Sequence, residues 1–249
     1  PLIYFITKKN PLLHLGRFVF DGKALIKACT NGISEMMAQV SGSIVTMLYN
    51  FQLMRFAGED GVAAYGVLLY ANWIFIAILF GYSTGAAPII GYHFGAQNHD
   101  ELKNLFRKSM VIMGICGTAL CVLTIIFTDP LSGIFVGYDP VLFNMTKTAV
   151  FISAFSFIFV GFNIFASGFF TALNNGALSA ILSFLRAVVF QVLFVLLLPA
   201  LSGVDGIWCA TFATEFCSFV TALTFFLAYR KRYGYSDRVL KCRRQAAAL

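Results

Sequence analysis

Apolar residues along this chain come in long runs broken by short polar stretches. Six runs stand out, at roughly 29–54, 61–93, 105–128, 145–172, 177–199 and 205–229. Each is long enough for a helix to cross a hydrocarbon core of about 30 Å, which takes about twenty mostly apolar residues. Turn-forming sequences separate them: AGEDG at 57–61, GAQNHDE at 95–101, TDPLSG at 128–133 with GYDP at 137–140, NNG at 174–176 and LSGVDG at 201–206. A β-barrel span would alternate polar and apolar positions over about ten residues. The stretch AVFISAFSFIFVGFNIFASGFF does not. The pattern predicts an all-α integral membrane protein built as a six-transmembrane-helix bundle.

Composition agrees. Of 249 residues, 59% are hydrophobic and 12% charged, and the mean hydropathy is +0.81. Soluble domains carry about twice that share of charge. The placement of Lys and Arg then orients the spans. Lys8, Lys9, Arg17, Lys23 and Lys27 precede the first span, and Lys103, Arg107 and Lys108 follow the second. Arg230, Lys231, Arg232, Arg238, Lys241, Arg243 and Arg244 follow the sixth. With six crossings all of these share one side. The other side has Arg55 and Lys147 among the acids Glu59, Asp60, Asp129, Asp139 and Asp205. Excess Lys and Arg mark the cytoplasmic side, so both ends are expected in the cytoplasm of a cell-membrane protein. The same asymmetry accounts for the net charge of +7 without nucleic acid, and the basic tail is expected to touch anionic membrane lipid. The six cysteines show no CxxC spacing and read as buried hydrophobes. No basic leader precedes an apolar core at Pro1, which speaks against a signal peptide. PLIYFI at 1–6 reads as the end of a further apolar segment. The organisation expected is 1–28 as the end of a preceding helix and a cytoplasmic linker, 29–229 as the transmembrane lobe, and 230–249 as a basic cytoplasmic tail.

Three charges fall inside the runs: Glu35, Arg186 and Glu215. A charge near the bilayer centre costs at least about 2.5–3.5 kcal/mol on insertion scales, so such residues face partners or cavities. Arg186 and Glu215 fall near the midplane of neighbouring antiparallel spans and are expected to form a structural ion pair. Glu35 has no partner at its depth. Asp21 is a good N-cap, and a helix starting near Gly22 would carry Glu35 into the membrane, not leave it in a first turn at the interface. Pro88, between Gly85 and Gly91 in the second run, should bend or break its helix and is a candidate hinge. GYSTG at 81–85 matches a nucleophile pattern. His14, His93 and His99 all lie at or beyond the membrane edge, however, so the serine has no base and hydrolysis is set aside.

These motifs together carry a family resemblance. Residues 31–54 with AGEDGVAAYGVLLY, GYSTGAAPIIGYHFGAQNHDELKNLFRKS and SFLRAVVFQVLFVLLLPALSGVDGIWCATFATE resemble the second half of a multidrug and toxic compound extrusion (MATE) transporter, from about Phe20 to Tyr229. The resemblance implies one lobe of a twelve-helix fold, helices seven to twelve, whose partner is the N-terminal lobe of the same full-length chain. By it, Glu35 matches the carboxylate that the sodium-coupled branch uses for its cation, and Asn163 stands where that branch has a second carboxylate. An amide can ligate Na⁺ through oxygen but cannot exchange a proton, so the coupling ion, Na⁺ or H⁺, stays open. Asn50 is taken with Glu35 and Asn163 as a candidate cation ligand. No metal site is expected beyond Na⁺ at Glu35, and no cofactor beyond the coupling ion.

The implied activity is not enzymatic. It is secondary active efflux of small-molecule drugs, often cationic, by alternating access in antiport with Na⁺ or H⁺. A lipid-linked oligosaccharide flippase of the same superfamily would be expected to bring more basic residues into its cavity than Arg186. A non-transporting structural membrane partner would tolerate the loss of Glu35.

Overall fold

The computed structural model describes residue 20 and residues 22–235. Several side chains between residues 24 and 39, Glu35 among them, lie outside that description, as do residues 1–19 of the expected 1–28 segment and residues 236–249 of the expected 230–249 tail. The described chain is helical nearly throughout. Helices Gly22–Gly95, His99–Val136, Pro140–Ala154, Phe157–Ala172, Gly176–Phe184 and Gln191–Tyr233 follow one another, with a π turn at Leu185–Phe190. Three stretches of helix are long and apolar enough to cross a membrane, and the Pro140–Ala154 and Phe157–Ala172 pair, bent by 52°, makes a fourth.

Two of the long stretches are hairpins. Tyr49 and Tyr65 would lie about 24 Å apart on a straight helix, yet their rings stack with centroids 4.8 Å apart. The reversal falls at Gly58, the one non-helical residue in its stretch. Tyr49 likewise bonds both Thr211 at 3.0 Å and Gln191 at 2.8 Å, residues about 30 Å apart on a straight helix. That reversal falls at Gly203. Both glycines have φ near +65°, at 66° and 63°, a region that only glycine enters without strain. The described chain thus makes six crossings: α1 (22–57), α2 (59–95), α3 (His99–Val136), α4 and α5 (Pro140–Ala154 and Phe157–Ala172, one bent crossing), α6 (176–202, containing the π turn) and α7 (204–233).

Three details depart from the sequence pattern. The third span does not stop at TDPLSG. Pro130 sits inside α3, which runs on to a cap at Gly137. There Asp129 of α3 pairs with Lys147 of α4 at 2.6 Å, which ties the continued helix to the next crossing. Pro88 does not break α2: the only non-helical residue in the Gly22–Gly95 stretch is Gly58, before α2 begins. The fourth span is bent at Phe155–Ser156, where the Ser156 hydroxyl donates to the Ser153 carbonyl at 2.6 Å. By contrast, α1 begins at Gly22 as expected, so Glu35 is well past its first turn.

Close packing relies on small residues, as it must where lipid is as apolar as leucine. A Cβ on Gly117 of α3 would meet the Phe157 carbonyl oxygen at 2.6 Å, and one on Gly168 of α5 would meet Ser83 Oγ at 2.6 Å. The serine of GYSTG is therefore a helix-packing residue, buried against α5. Two apolar cores result. One, towards the 96–98 and 173–175 turns, holds Phe157, Phe165, Phe169, Phe170 and Phe226. The other, towards Gly58 and Gly203, holds Tyr49, Leu53, Tyr65, Ile207 and Trp208. Large apolar side chains such as Ile74, Ile115 and Ile126 are exposed around the outside, where a bilayer is their natural solvent.

Pro199 shows how the lobe keeps its backbone paired. It has no N–H for the carbonyl of Val195, and Gln52 Nε2 of α1 donates to that carbonyl instead, at 3.3 Å.

Replacing Gly58 with Ala is expected to cost more than about 1 kcal/mol, because the chain must keep a positive φ there. Gly66→Ala, at a helical site with open space around it, is expected to be neutral or stabilising. Thermal unfolding of both variants in the same detergent checks this.

Candidate functional site

Between the two cores α1, α2, α5, α6 and α7 enclose a cavity of about 280 Å³. Its apolar walls include Val45, Trp73, Phe80 and Leu182, and its polar groups are Asn163, Ser167, Ser183, Arg186, Gln191, Glu215 and Ser218. Arg186 and Gln191 both reach it because Arg186 lies in the π turn and Gln191 directly follows it, and i to i+5 winding brings residues five apart onto one face. Gln191 is held by its bond to the Tyr49 hydroxyl.

The predicted ion pair is present and is the centre of the site. Arg186 donates from Nε and Nη2 to Glu215 Oε1 at 3.0 and 2.8 Å. Asn163 Nδ2 donates to Glu215 Oε2 at 2.7 Å and to the Glu215 backbone carbonyl at 2.9 Å. Since both of these neighbours are acceptors, the amide nitrogen must face them, which turns Asn163 Oδ1 away. That oxygen is buried without a partner among the described residues, as are Ser218 Oγ and Thr214 Oγ1. A hydroxyl cluster borders the pair: Ser167 Oγ lies 2.9 Å from both Ser179 Oγ and Ser183 Oγ, and Thr171 donates to Ser179 at 2.8 Å.

The structure thus joins two things the sequence kept apart. Asn163, expected among the cation ligands, is the third member of the Arg186–Glu215 pair. Asn50 is half-buried on α1 and does not line the cavity. Gly85 and Pro88 are exposed on α2, and a Cβ on Gly91 would come 3.4 Å from the Ala172 carbonyl oxygen, so Gly91 serves close contact with α5. The Glu35 side chain lies outside the described residues. Its backbone position is seven residues before Gly42, one of the cavity-lining residues of α1, and so falls on the same helix face two turns away. Sequence reasoning missed the π turn, Gln191 and the serine cluster. The only available signal was the polar residues spaced three or four apart in GALSAILSFLR.

No group of three or more His, Cys, Asp or Glu that could hold a metal occurs among the described residues. The buried, partnerless oxygens of Asn163 and Ser218 are of the kind an alkali cation takes.

A polytopic helical membrane protein with an ionised cavity inside one six-crossing lobe is the class defined by this fold and site. The MatE family model matches residues 34–197, and the chain belongs to that family. It is 24% identical over 206 residues to the probable multidrug resistance protein YoeA of Bacillus subtilis (strain 168), covering 79% of this chain and 43% of that one. A crystal structure of MATE in complex with MaL6 superimposes with a TM-score of 0.86 at 17% identity, over 94% of this chain and 53% of that one. The outward-facing conformation of a multidrug resistance MATE family transporter of the MOP superfamily gives 0.84 at 18%, over 94% and 53%. The inward-facing conformation of such a transporter gives 0.77 at 17%, over 95% and 55%. The chain spans about half the length of these relatives.

Arg186→Gln leaves Glu215 buried and unpaired, which is expected to cost about 3–5 kcal/mol. Arg186→Gln combined with Glu215→Gln removes both charges and is expected to recover most of that loss. A double variant that unfolds at or below the temperature of the single one would contradict the pairing.

Proposed function

We propose that this chain is the C-terminal lobe, helices seven to twelve, of a transporter that exports small organic compounds, many of them cationic, across the cell membrane in antiport with Na⁺ or H⁺. The observation that carries the reading is the cavity: ionised groups are held at mid-membrane inside one lobe of a MatE-family chain, open enough for Arg186 to remain partly exposed. A buried charge that serves only packing would need no such space. The lobe's own residues divide the work. Glu35, on the cavity face of α1, takes the coupling cation. Asn163 supplies a neutral oxygen, whereas Asn50, about 22 Å from Glu35 along α1 and outside the cavity lining, is too far to share that cation. The Arg186–Glu215 pair keeps α6 and α7 in register while the cation comes and goes. A cation on Glu35 neutralises a carboxylate in a low-dielectric region, which changes how α1 and α2 pack and with it the affinity of the cavity. Gly85, Pro88 and Gly91 then lie where α2 would flex. Trp73 and Phe80 offer ring faces to flat cations.

Orientation follows from charge. Gly234 packs against His99, and Asn175 bonds the Tyr233 hydroxyl. The turn before α3, the turn before α6 and the end of α7 therefore meet at one end of the lobe. Lys103, Arg107, Lys108 and Arg230 to Arg232 cluster there, which supports a cytoplasmic assignment for that end. The partner is the N-terminal lobe, which would close the other side of the transport path. The mechanism is transport by alternating access and involves no chemical conversion of the substrate.

Glu35→Gln in the complete protein should abolish ion-driven drug export in proteoliposomes while expression and folding persist. Export at the unaltered rate would remove Glu35 from the coupling role.

A further inference from the structure

The Arg186 guanidinium uses only part of its donor set on Glu215. Nε and Nη2 both point at one oxygen, Oε1, and Nη1 donates to no described residue. The Arg186 side chain is 26% exposed against 8% for Glu215, and the opening it is exposed to is the cavity it lines. The end-on edge, formed by Nη1 and the outer hydrogen of Nη2, is therefore uncommitted among the described residues, on a side chain that stays partly exposed. Glu215 is the reverse case: Oε1 accepts twice from Arg186, Oε2 accepts from Asn163, and the residue is buried. Among the described lining groups, the cavity offers a free edge of a cation and no free carboxylate.

We infer that this end-on edge of Arg186 is the docking point for a single carboxylate on an amphiphilic, ring-bearing substrate. A guanidinium edge presents two parallel N–H donors that match a carboxylate's two oxygens. Surroundings drier than water strengthen such a contact. Trp73 and Phe80 supply the apolar and aromatic wall that a ring would lie against. The cavity is at the small end of ligand pockets, so it takes the carboxylate-bearing end of a compound and leaves the rest to the space outside the lobe. The pair with Glu215 is what keeps the guanidinium aimed, and Asn163 prevents Glu215 from turning to meet the substrate.

This inference rests on the cavity being the substrate cavity of the efflux reading, but its test reads binding alone. The complete protein in lipid nanodiscs is titrated with 1-naphthoate, 1-naphthylmethylamine and 1-naphthalenemethanol by calorimetry, with empty nanodiscs as the blank. Naphthoate is expected to bind at least about tenfold more tightly than the amine and the alcohol. Arg186→Gln with Glu215→Gln is expected to erase that preference while leaving a monodisperse protein. If that double variant does not fold, Arg186→Lys, which keeps the charge but loses the fork, is expected to lower the preference at least threefold. Equal binding of the three probes, tighter binding of the amine, or a preference that survives these substitutions overturns the inference. Export of a cationic dye by the same protein separates the two readings. Export without naphthoate preference sinks the carboxylate site alone, whereas naphthoate preference without export of any compound sinks the efflux reading and leaves the site.

Discussion

A carboxylate and a guanidinium placed halfway through a bilayer determine how this lobe is arranged. Each alone would cost several kcal/mol at that depth, and their attraction offsets the cost only if the remaining hydrogen-bonding positions are filled as well. Glu215 meets that condition through Arg186 on one oxygen and Asn163 on the other. Three crossings are thereby fixed at one point: α5 through Asn163, α6 through Arg186 and α7 through Glu215. The π turn in α6 follows from the same demand. Winding one stretch at five residues per bond costs regularity, but it lets Arg186 and Gln191 share a face, and Gln191 ties that face to Tyr49 of α1 and, through its hydroxyl, to Thr211 of α7.

The rest of the lobe is built to tolerate that polar centre. Phenylalanine-rich packing closes one end and a Tyr–Trp core the other, so the ion pair sits in a gap between two dry regions. Helices approach through glycines where backbone meets backbone, as at Gly117 against Phe157. Where a proline removes a donor, a neighbouring side chain supplies one, as Gln52 does for Val195. The end of α7 is held too. Gly234 turns with φ 74° against His99, and the Tyr235 hydroxyl donates to the Phe226 carbonyl at 2.8 Å, closing the aromatic core around Phe106.

The spans and most turns were legible in the sequence because a bilayer imposes a length on apolar runs and glycine marks the reversals. Gly58 and Gly203 carry the positive φ that AGEDG and LSGVDG suggest. TDPLSG misled because a local turn tendency yields to packing: α3 continues to Gly137, with Ser132 buried and Asp129 paired to Lys147 of α4. The pairing of Arg186 with Glu215 could be read from depth alone, since two opposite charges at one level on adjacent helices have few other options. Asn163 could not be assigned to that pair, because nothing local links it to a residue 52 positions away. The π turn was equally hidden, being a response to tertiary contacts and not a property of LRAVVF.

The same geometry argues between the two kinds of cargo weighed for the proposed transporter. A lipid-linked oligosaccharide carries its charge as clustered phosphate, and a cavity for it would need several unopposed cations. Here the one cation among the described lining residues is already paired with Glu215, and its free edge has room for one carboxylate. The walls are Trp73, Phe80, Val45 and Leu182, suited to rings and not to sugars, which would need many more hydrogen-bonding groups than the serine cluster supplies. A compact amphiphile with few charges satisfies both the walls and the ion pair, and a polyanionic headgroup satisfies neither.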